Sequence, residues 1–198
     1  MTRHKKIKLY DVLHASYQNN KEAKDALTKH GYILDEELSK GYEKVYYNPD
    51  DKKLIFSVAG SSSVDDWVNT DPLLALGGLK YTDRYEEAHQ RLIDSKKKYG
   101  VNNATVVGHS LGGGIASGIG SASDRIFTYN KGITLFGKNR DNETHYRTRG
   151  DIVSTFAPND QHNVILHNKH NSNVLNSAGD FGKAHNVDNL LDEEGIYI

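Results

Sequence analysis

The 198-residue chain has no cysteine, which excludes disulfide bonds and thiolate metal ligands. It also has no apolar run near the ~18 residues that a membrane-spanning helix needs. The basic residues between positions 3 and 8 are not followed by the apolar core of a signal peptide. With a formal net charge of −1, the chain has no large basic field that would attract nucleic acid.

Hydrophobic periodicity and turn residues predict alternating strands and helices through the middle of the chain. This alternation is typical of an α/β protein with a mostly parallel central sheet flanked by helices, and the length favours one domain over residues 1–198. The predicted strands are residues 42–47, 53–59, 104–107, 125–129, 145–149 and 164–167, and the predicted helices are residues 12–30, 81–99, 110–121 and 187–191.

Gly108-His109-Ser110-Leu111-Gly112 fits the pattern G-x-S-x-G between a short apolar strand and a helix of small residues. Such a strand–turn–helix holds a nucleophilic serine in a strained backbone conformation. Glycines two residues to either side are needed because side chains there would collide across the turn. The pattern predicts that Ser110 is a nucleophile, and His109 is interpreted as a packing residue directed away from the pocket.

The Gly-His-Ser-Leu-Gly-Gly stretch resembles the class 3 lipases, the fungal-lipase-like branch of the α/β-hydrolase superfamily. Gly60-Ser61 followed by Trp67, and Asp151-Ile152-Val153, resemble two further motifs of that family in the same order. The family's arginine before Gly-Ser is Ala59 here, and its proline after Asp-Ile-Val is Ser154. The resemblance covers residues 40–190 and implies a short form of the α/β-hydrolase fold.

A serine nucleophile needs a base and a group that orients the base, and in this fold they follow the serine in the order acid, then histidine. Asp151 follows a predicted strand and matches the family's acid, with Asp160 as the alternative. The resemblance implies His185 as the base, with His170 as the alternative. The spacing of the other late histidines fits no standard metal site, so we expect neither a metal nor a cofactor.

The predicted oxyanion hole consists of the backbone N–H of Leu111, directly after the nucleophile, and of Ser61 after the earlier strand. Residues 62–79 combine large apolar side chains with Asp, Asn and Gly, which indicates a lid over an acyl pocket. A helix packed permanently on the core is the alternative for this segment. The predicted lid and acyl-pocket residues are Trp67, Leu73, Leu74 and Leu76.

Together these features predict a serine ester hydrolase of the lipase or phospholipase type that cleaves acyl esters of lipids. Its expected partners are the lipid ester substrate and, transiently, a lipid surface, without nucleic acid or metal. The expected location is cytoplasmic or virion-associated. Two alternatives remain: a thioesterase or peptidase that uses the same triad, and a catalytically inactive lipase-like module that binds membranes or builds a virion.

Overall fold

The computed structural model describes residues 6–61, 79–132, 140–149, 151, 163–166, 185–190 and 195–198. Within these ranges the backbone forms seven strands, four α-helices and two short 3-10 turns. The strands are β1 (Ile33–Leu34), β2 (Glu43–Asn48), β3 (Lys53–Val58), β4 (Thr105–His109), β5 (Arg125–Tyr129), β6 (Glu143–Thr148) and β7 (Asn163–Leu166). The helices are α1 (Leu9–Tyr17), α2 (Asn20–Ala23), α3 (Leu79–Tyr99) and α4 (Leu111–Ile119), and the 3-10 turns are Thr28–His30 and Val187–Leu190.

All seven strands form one sheet in the order β1-β2-β3-β4-β5-β6-β7. The β1–β2 and β2–β3 pairs are antiparallel, and every pair from β3 to β7 is parallel. The predicted mostly parallel α/β sheet is therefore confirmed. Because β3 to β7 run in one direction, their carboxyl ends meet at one edge, where α/β proteins bind ligands.

Helices cover both faces of the sheet. Because neighbouring residues of a strand point to opposite sides, each strand contributes side chains to both layers. In β4, Val107 joins the cluster that α1 covers, whereas Val106 joins the cluster under α3 and α4. Leu13 of α1 and Ile115 of α4 are both fully buried. The sheet is thus the middle layer of three and is apolar on both faces.

Helix α3 confirms the amphipathic pattern predicted for residues 81–99. Ala88 and Leu92 are buried on the sheet side, and Gly100 ends the helix with a φ of 63°, which favours glycine. Across the described ranges, no helix combines the length and the apolar character needed to cross a bilayer.

The prediction of one helix over residues 12–30 is wrong. The first helix ends at Tyr17 because Gln18 is extended, with a ψ of 156°. Asn19 then caps α2, and its side-chain oxygen accepts a hydrogen bond from the Glu22 N–H at 3.1 Å. Asparagine prefers such capping positions to a helix interior.

The short strand β1 was not predicted, because it has only two residues and its position depends on pairing with Tyr46 and Tyr47. The ends of the other elements differ from the predicted ends by no more than two residues. The last predicted helix is the 3-10 turn Val187–Leu190.

Candidate active site

Ser110 lies at a sharp turn between β4 and α4, at the carboxyl edge of the sheet. Its φ of 56° and ψ of −129° form a backbone conformation that residues other than glycine rarely adopt. The Ser110 N–H donates to the carbonyl of Tyr129 at 3.1 Å, and the Ser110 carbonyl accepts hydrogen bonds from the N–H groups of Gly113, Gly114 and Gly132. These backbone bonds hold the strained conformation in place.

The two glycines of the turn are required because a side chain at either position would collide with the backbone. A Cβ at Gly108 would lie 2.2 Å from the carbonyl oxygen of Gly112, and a Cβ at Gly112 would lie 2.3 Å from the carbonyl oxygen of Val58. Both distances are far below ordinary contact. The turn therefore brings β3, β4 and the start of α4 together at backbone distance, as the G-x-S-x-G pattern predicts.

Ser110 is 7% exposed. Although Ser110 occupies the N-cap position of α4, its hydroxyl makes no capping hydrogen bond. The Leu111 N–H, at the first position of the helix, has no hydrogen-bond partner among the described residues. The positive end of the helix dipole is thus directed at the turn with an unused donor.

The loop after β3 lies directly against Ser110. A Cβ at Gly60 would lie 2.8 Å from the Cβ of Ser110, so Ser61 follows a residue in backbone contact with the nucleophile candidate. The N–H of Ser61 also has no acceptor in the described part of the chain. Two N–H donors without an acceptor among the described residues, those of Leu111 and Ser61, therefore lie on the two chain segments next to the serine.

His185 and Asp151 form a buried pair, with 2.8 Å between His185 Nδ1 and Asp151 Oδ1. Their side chains are 4% and 0% exposed. Asp151 follows β6 and is fixed by a hydrogen bond from its N–H to the carbonyl of Thr148 at 3.1 Å. A carboxylate only accepts hydrogen bonds, so Nδ1 carries the proton.

The opposite ring nitrogen of His185, Nε2, is buried and has no hydrogen-bond partner among the described residues. In the neutral ring it is the unprotonated nitrogen. Its lone pair therefore receives no hydrogen bond from the described residues.

His109 is a packing residue, as interpreted, but it also makes two specific hydrogen bonds. Its Nε2 lies 2.8 Å from the carbonyl oxygen of His185, and its Nδ1 lies 2.5 Å from the hydroxyl of Tyr17. Its ring stacks on Tyr129 and lies 4.9 Å from the His185 ring, centroid to centroid. Burial, with the nearby His185 second, lowers the pKa of His109 to about 3, so the ring is neutral.

Asn130, at the end of β5, is a further contact that the sequence analysis missed. It has a φ of 44°, and its side chain accepts from the Thr148 N–H at 2.7 Å and donates to the His185 carbonyl at 3.4 Å. It thereby joins the end of β6 to the segment that carries His185. Asparagine followed by Lys-Gly after a strand is the turn signal that could have identified it.

Several predicted residues lie outside the described part of the chain. They are the alternatives Asp160 and His170, and the lid and acyl-pocket residues Trp67, Leu73, Leu74 and Leu76. Among the described residues, no three or more His, Asp and Glu side chains gather in a way that would hold a metal ion.

Residues 10–174 match the Tle-like phospholipase domain, described as phospholipase-like. The chain belongs to the Tle-like phospholipase domain family. The match covers both the Ser110 turn and Asp151. No curated protein sequence matches the chain.

The fold of this family member resembles solved fungal lipases, which confirms the predicted α/β-hydrolase architecture. The triacylglyceride lipase of Rhizomucor miehei superposes with a TM-score of 0.56 and 17% identity over 96% of this chain and 93% of the lipase. A deletion mutant of that lipase, in complex with its propeptide, superposes with a TM-score of 0.58 and 16% identity over 96% of this chain and 77% of the mutant. The Lip2 lipase of Yarrowia lipolytica superposes with a TM-score of 0.51 and 16% identity over 75% of this chain and 73% of Lip2.

Proposed function

We propose that this chain is a serine ester hydrolase that cleaves acyl esters of lipids, phospholipids among them, through an acyl-enzyme. The observation that carries the proposal is the strained Ser110 turn at the sheet edge that also holds the buried His185–Asp151 pair. The phospholipase-like family supports a lipid ester as the substrate.

In the proposed reaction, the Ser110 hydroxyl attacks the ester carbonyl while His185 Nε2 takes its proton. Asp151 accepts from His185 Nδ1 at 2.8 Å, which in the neutral ring selects the tautomer with the lone pair on Nε2 and stabilises the imidazolium that forms in the attack. His185 then gives the proton to the departing alcohol. Water attacks the acyl-enzyme by the same route and releases the fatty acid.

The developing oxyanion would be bound by the N–H groups of Leu111 and Ser61. Support comes from the lack of an acceptor for either N–H within the described ranges and from the close approach of Gly60 to Ser110. One such donor, held in position before the reaction, stabilises the transition state by roughly 3 kcal/mol. The apolar residues of segment 62–79, Trp67 among them, would bind the acyl chain and cover it.

The first test is active-site labelling with a fluorophosphonate, which reacts only with an activated serine. We expect wild type to be labelled and Ser110→Ala not to be. Ser95→Ala is the matched control, because the Ser95 hydroxyl bonds within its own helix to the carbonyl of Arg91 at 2.7 Å. It should be labelled like wild type.

Asp151→Asn should lower kcat by a factor on the order of 10⁴, because an amide favours the wrong tautomer of the base. The assay is hydrolysis of p-nitrophenyl esters of increasing chain length, of phosphatidylcholine vesicles and of a triacylglycerol emulsion. Hydrolysis that rises with chain length supports the proposal, and preference for thioesters or peptides contradicts the substrate class. If the folded protein is not labelled, with or without detergent micelles, the proposal that it is a serine hydrolase is wrong.

A further inference from the structure

A continuous chain of hydrogen bonds, called the relay below, passes through His109, the residue before Ser110, and joins the loop after β3 to the segment that carries His185. The Gly60 N–H lies 2.8 Å from the Tyr17 hydroxyl oxygen. That hydroxyl lies 2.5 Å from His109 Nδ1, and His109 Nε2 lies 2.8 Å from the His185 carbonyl oxygen. Each separation is within the range of a hydrogen bond.

The donors and acceptors along this relay are determined without conflict. The His185 carbonyl only accepts, so His109 Nε2 carries the proton, and in the neutral ring Nδ1 accepts. Tyr17 therefore donates its O–H to Nδ1, and its oxygen accepts the Gly60 N–H. Burial raises the pKa of Tyr17 to about 12, so the hydroxyl keeps its proton at neutral pH.

Each end of the relay is backbone that adjoins a proposed catalytic group. Gly60 precedes Ser61, and a Cβ on Gly60 would lie 2.8 Å from both the Ser110 Cβ and the Tyr17 hydroxyl oxygen. At the other end, the carbonyl belongs to His185 itself. Although 38% of Tyr17 is exposed, its hydroxyl end is occupied by Gly60 and His109.

We propose that Tyr17 and His109 are positioning residues, which together hold the Gly60–Ser61 backbone and His185 in fixed positions relative to Ser110. This inference rests on the proposed function, because it assigns these two residues a part in the same reaction. Neither residue is proposed to touch the substrate. They would act by fixing an oxyanion donor and the base relative to one nucleophile.

Tyr17→Phe tests the relay because it removes only the hydroxyl. The Gly60 N–H then loses its acceptor and His109 Nδ1 its donor, while the ring remains. We expect kcat to fall roughly 10- to 100-fold, as for displacements of up to about 1 Å at a reacting centre. KM should stay within about twofold, because uniform substrate binding is not altered.

His109→Gln tests the same bond from the other side. The glutamine amide keeps an N–H for the His185 carbonyl but has no acceptor at the place of Nδ1. Since both substitutions break the Tyr17–His109 contact, the double variant should have nearly the kcat of the slower single variant. Losses that multiply in the double variant would overturn the relay. His109→Phe, which lacks both polar groups, should be slower than His109→Gln.

Tyr46→Phe is the control for general destabilisation. Tyr46 is fully buried, and its hydroxyl donates to the carbonyl of Ala23 in α2 at 2.9 Å, outside the relay. Its loss should lower the melting temperature and leave kcat unchanged. If Tyr46→Phe lowers kcat as much as Tyr17→Phe does, the effect is not one of positioning and the inference fails.

Nitrogen NMR of the histidine rings tests the relay without turnover. In wild type at pH 7, His109 should be neutral, with its proton on Nε2, and Tyr17→Phe should shift both its Nδ1 signal and the Gly60 amide signal. A proton on Nδ1 would overturn the relay. If wild type has these signals but neither reacts with fluorophosphonate nor cleaves esters, the proposed function fails. If wild type turns over and Tyr17→Phe keeps its kcat, only the inference fails.

Discussion

Replacing Gly112 by alanine tests the close approach of α4 to the end of β3. The new Cβ would lie 2.3 Å from the carbonyl oxygen of Val58 and 2.4 Å from that of Ala59. Real Cβ atoms essentially never approach other atoms closer than 3.0 Å, and both obstacles are backbone, which cannot rotate away. The helix or the strand end must therefore move.

The expected loss of stability follows from two opposing effects. Overpacking of this kind costs ~1–3 kcal/mol and sometimes more, and a backbone obstacle corresponds to the upper end. Alanine in place of glycine favours a helix by up to ~1 kcal/mol. The free energy of unfolding of Gly112→Ala should therefore fall by about 2 kcal/mol or more.

Gly113→Ala is the matched control in the same turn of helix. Its Cβ would lie 3.2 Å from the Gly108 carbonyl oxygen and from the Lys131 Cα, a tight contact that a shift of a few tenths of an ångström relieves. Its stability should stay within about 1 kcal/mol of wild type. Urea unfolding followed by circular dichroism measures both variants.

The same pair of variants also tests the link to the site. Any shift of the Ala59 carbonyl moves Gly60 and Ser61, so Gly112→Ala should react with a fluorophosphonate more slowly than Gly113→Ala when both are folded. Equal stability of the two variants would refute the packing argument. Equal labelling rates would refute the argument that this packing sets the loop beside Ser110.

Two further predictions concern buried titratable groups. The pKa of His109 is ordinarily 6.5 and is about 3 in the folded protein. Between these pH values the unfolded chain binds a proton that the folded chain does not. The free energy of unfolding therefore decreases as the pH is lowered, by at most ~1.4 kcal/mol per pH unit. The difference in unfolding free energy between wild type and His109→Gln should shrink as pH falls from 6.5 to 4, and a constant difference contradicts it. Lys131 pairs with Glu143 at 2.7 Å, at 4% and 3% exposure. Lys131→Met should lower the free energy of unfolding, measured in urea, by about 3–5 kcal/mol. Lys24→Met, at the exposed pair with Glu36, should lower it by under about 1 kcal/mol. Equal losses would contradict the argument that burial makes the Lys131–Glu143 pair costly to break.

The central sheet and the serine turn could be predicted because local signals determine them. Val106-Val107 marks a buried strand, and the glycines around Ser110 have a steric cause that the spacing alone indicates. The division of residues 12–30 could not be predicted from periodicity. The apolar spacing continues past Tyr17, and only the capping preference of Asn19 signals the break.

The parts of the site that involve distant residues were harder to predict. Tyr17 reaches His109 across 92 positions of sequence, and nothing in the segment around Tyr17 distinguishes it from the other eleven tyrosines. The role of His109 was underestimated because alternation along β4 directs its ring to the α1 side of the sheet. The segment with His185 lies on that side too, and no sequence pattern revealed this.

Histidine suits position 109 because the relay needs one donor and one acceptor without a charge. During the proposed reaction, His185 becomes positive beside Asp151 while an oxyanion forms at the substrate. A second positive ring 4.9 Å from His185 would oppose that proton transfer, and burial prevents it by lowering the pKa of His109. Lysine or arginine at this position would introduce the charge and provide no acceptor for Tyr17. Because the neutral imidazole is rigid, it also fixes the separation of its two partners, whereas glutamine would keep only the contact with the His185 carbonyl.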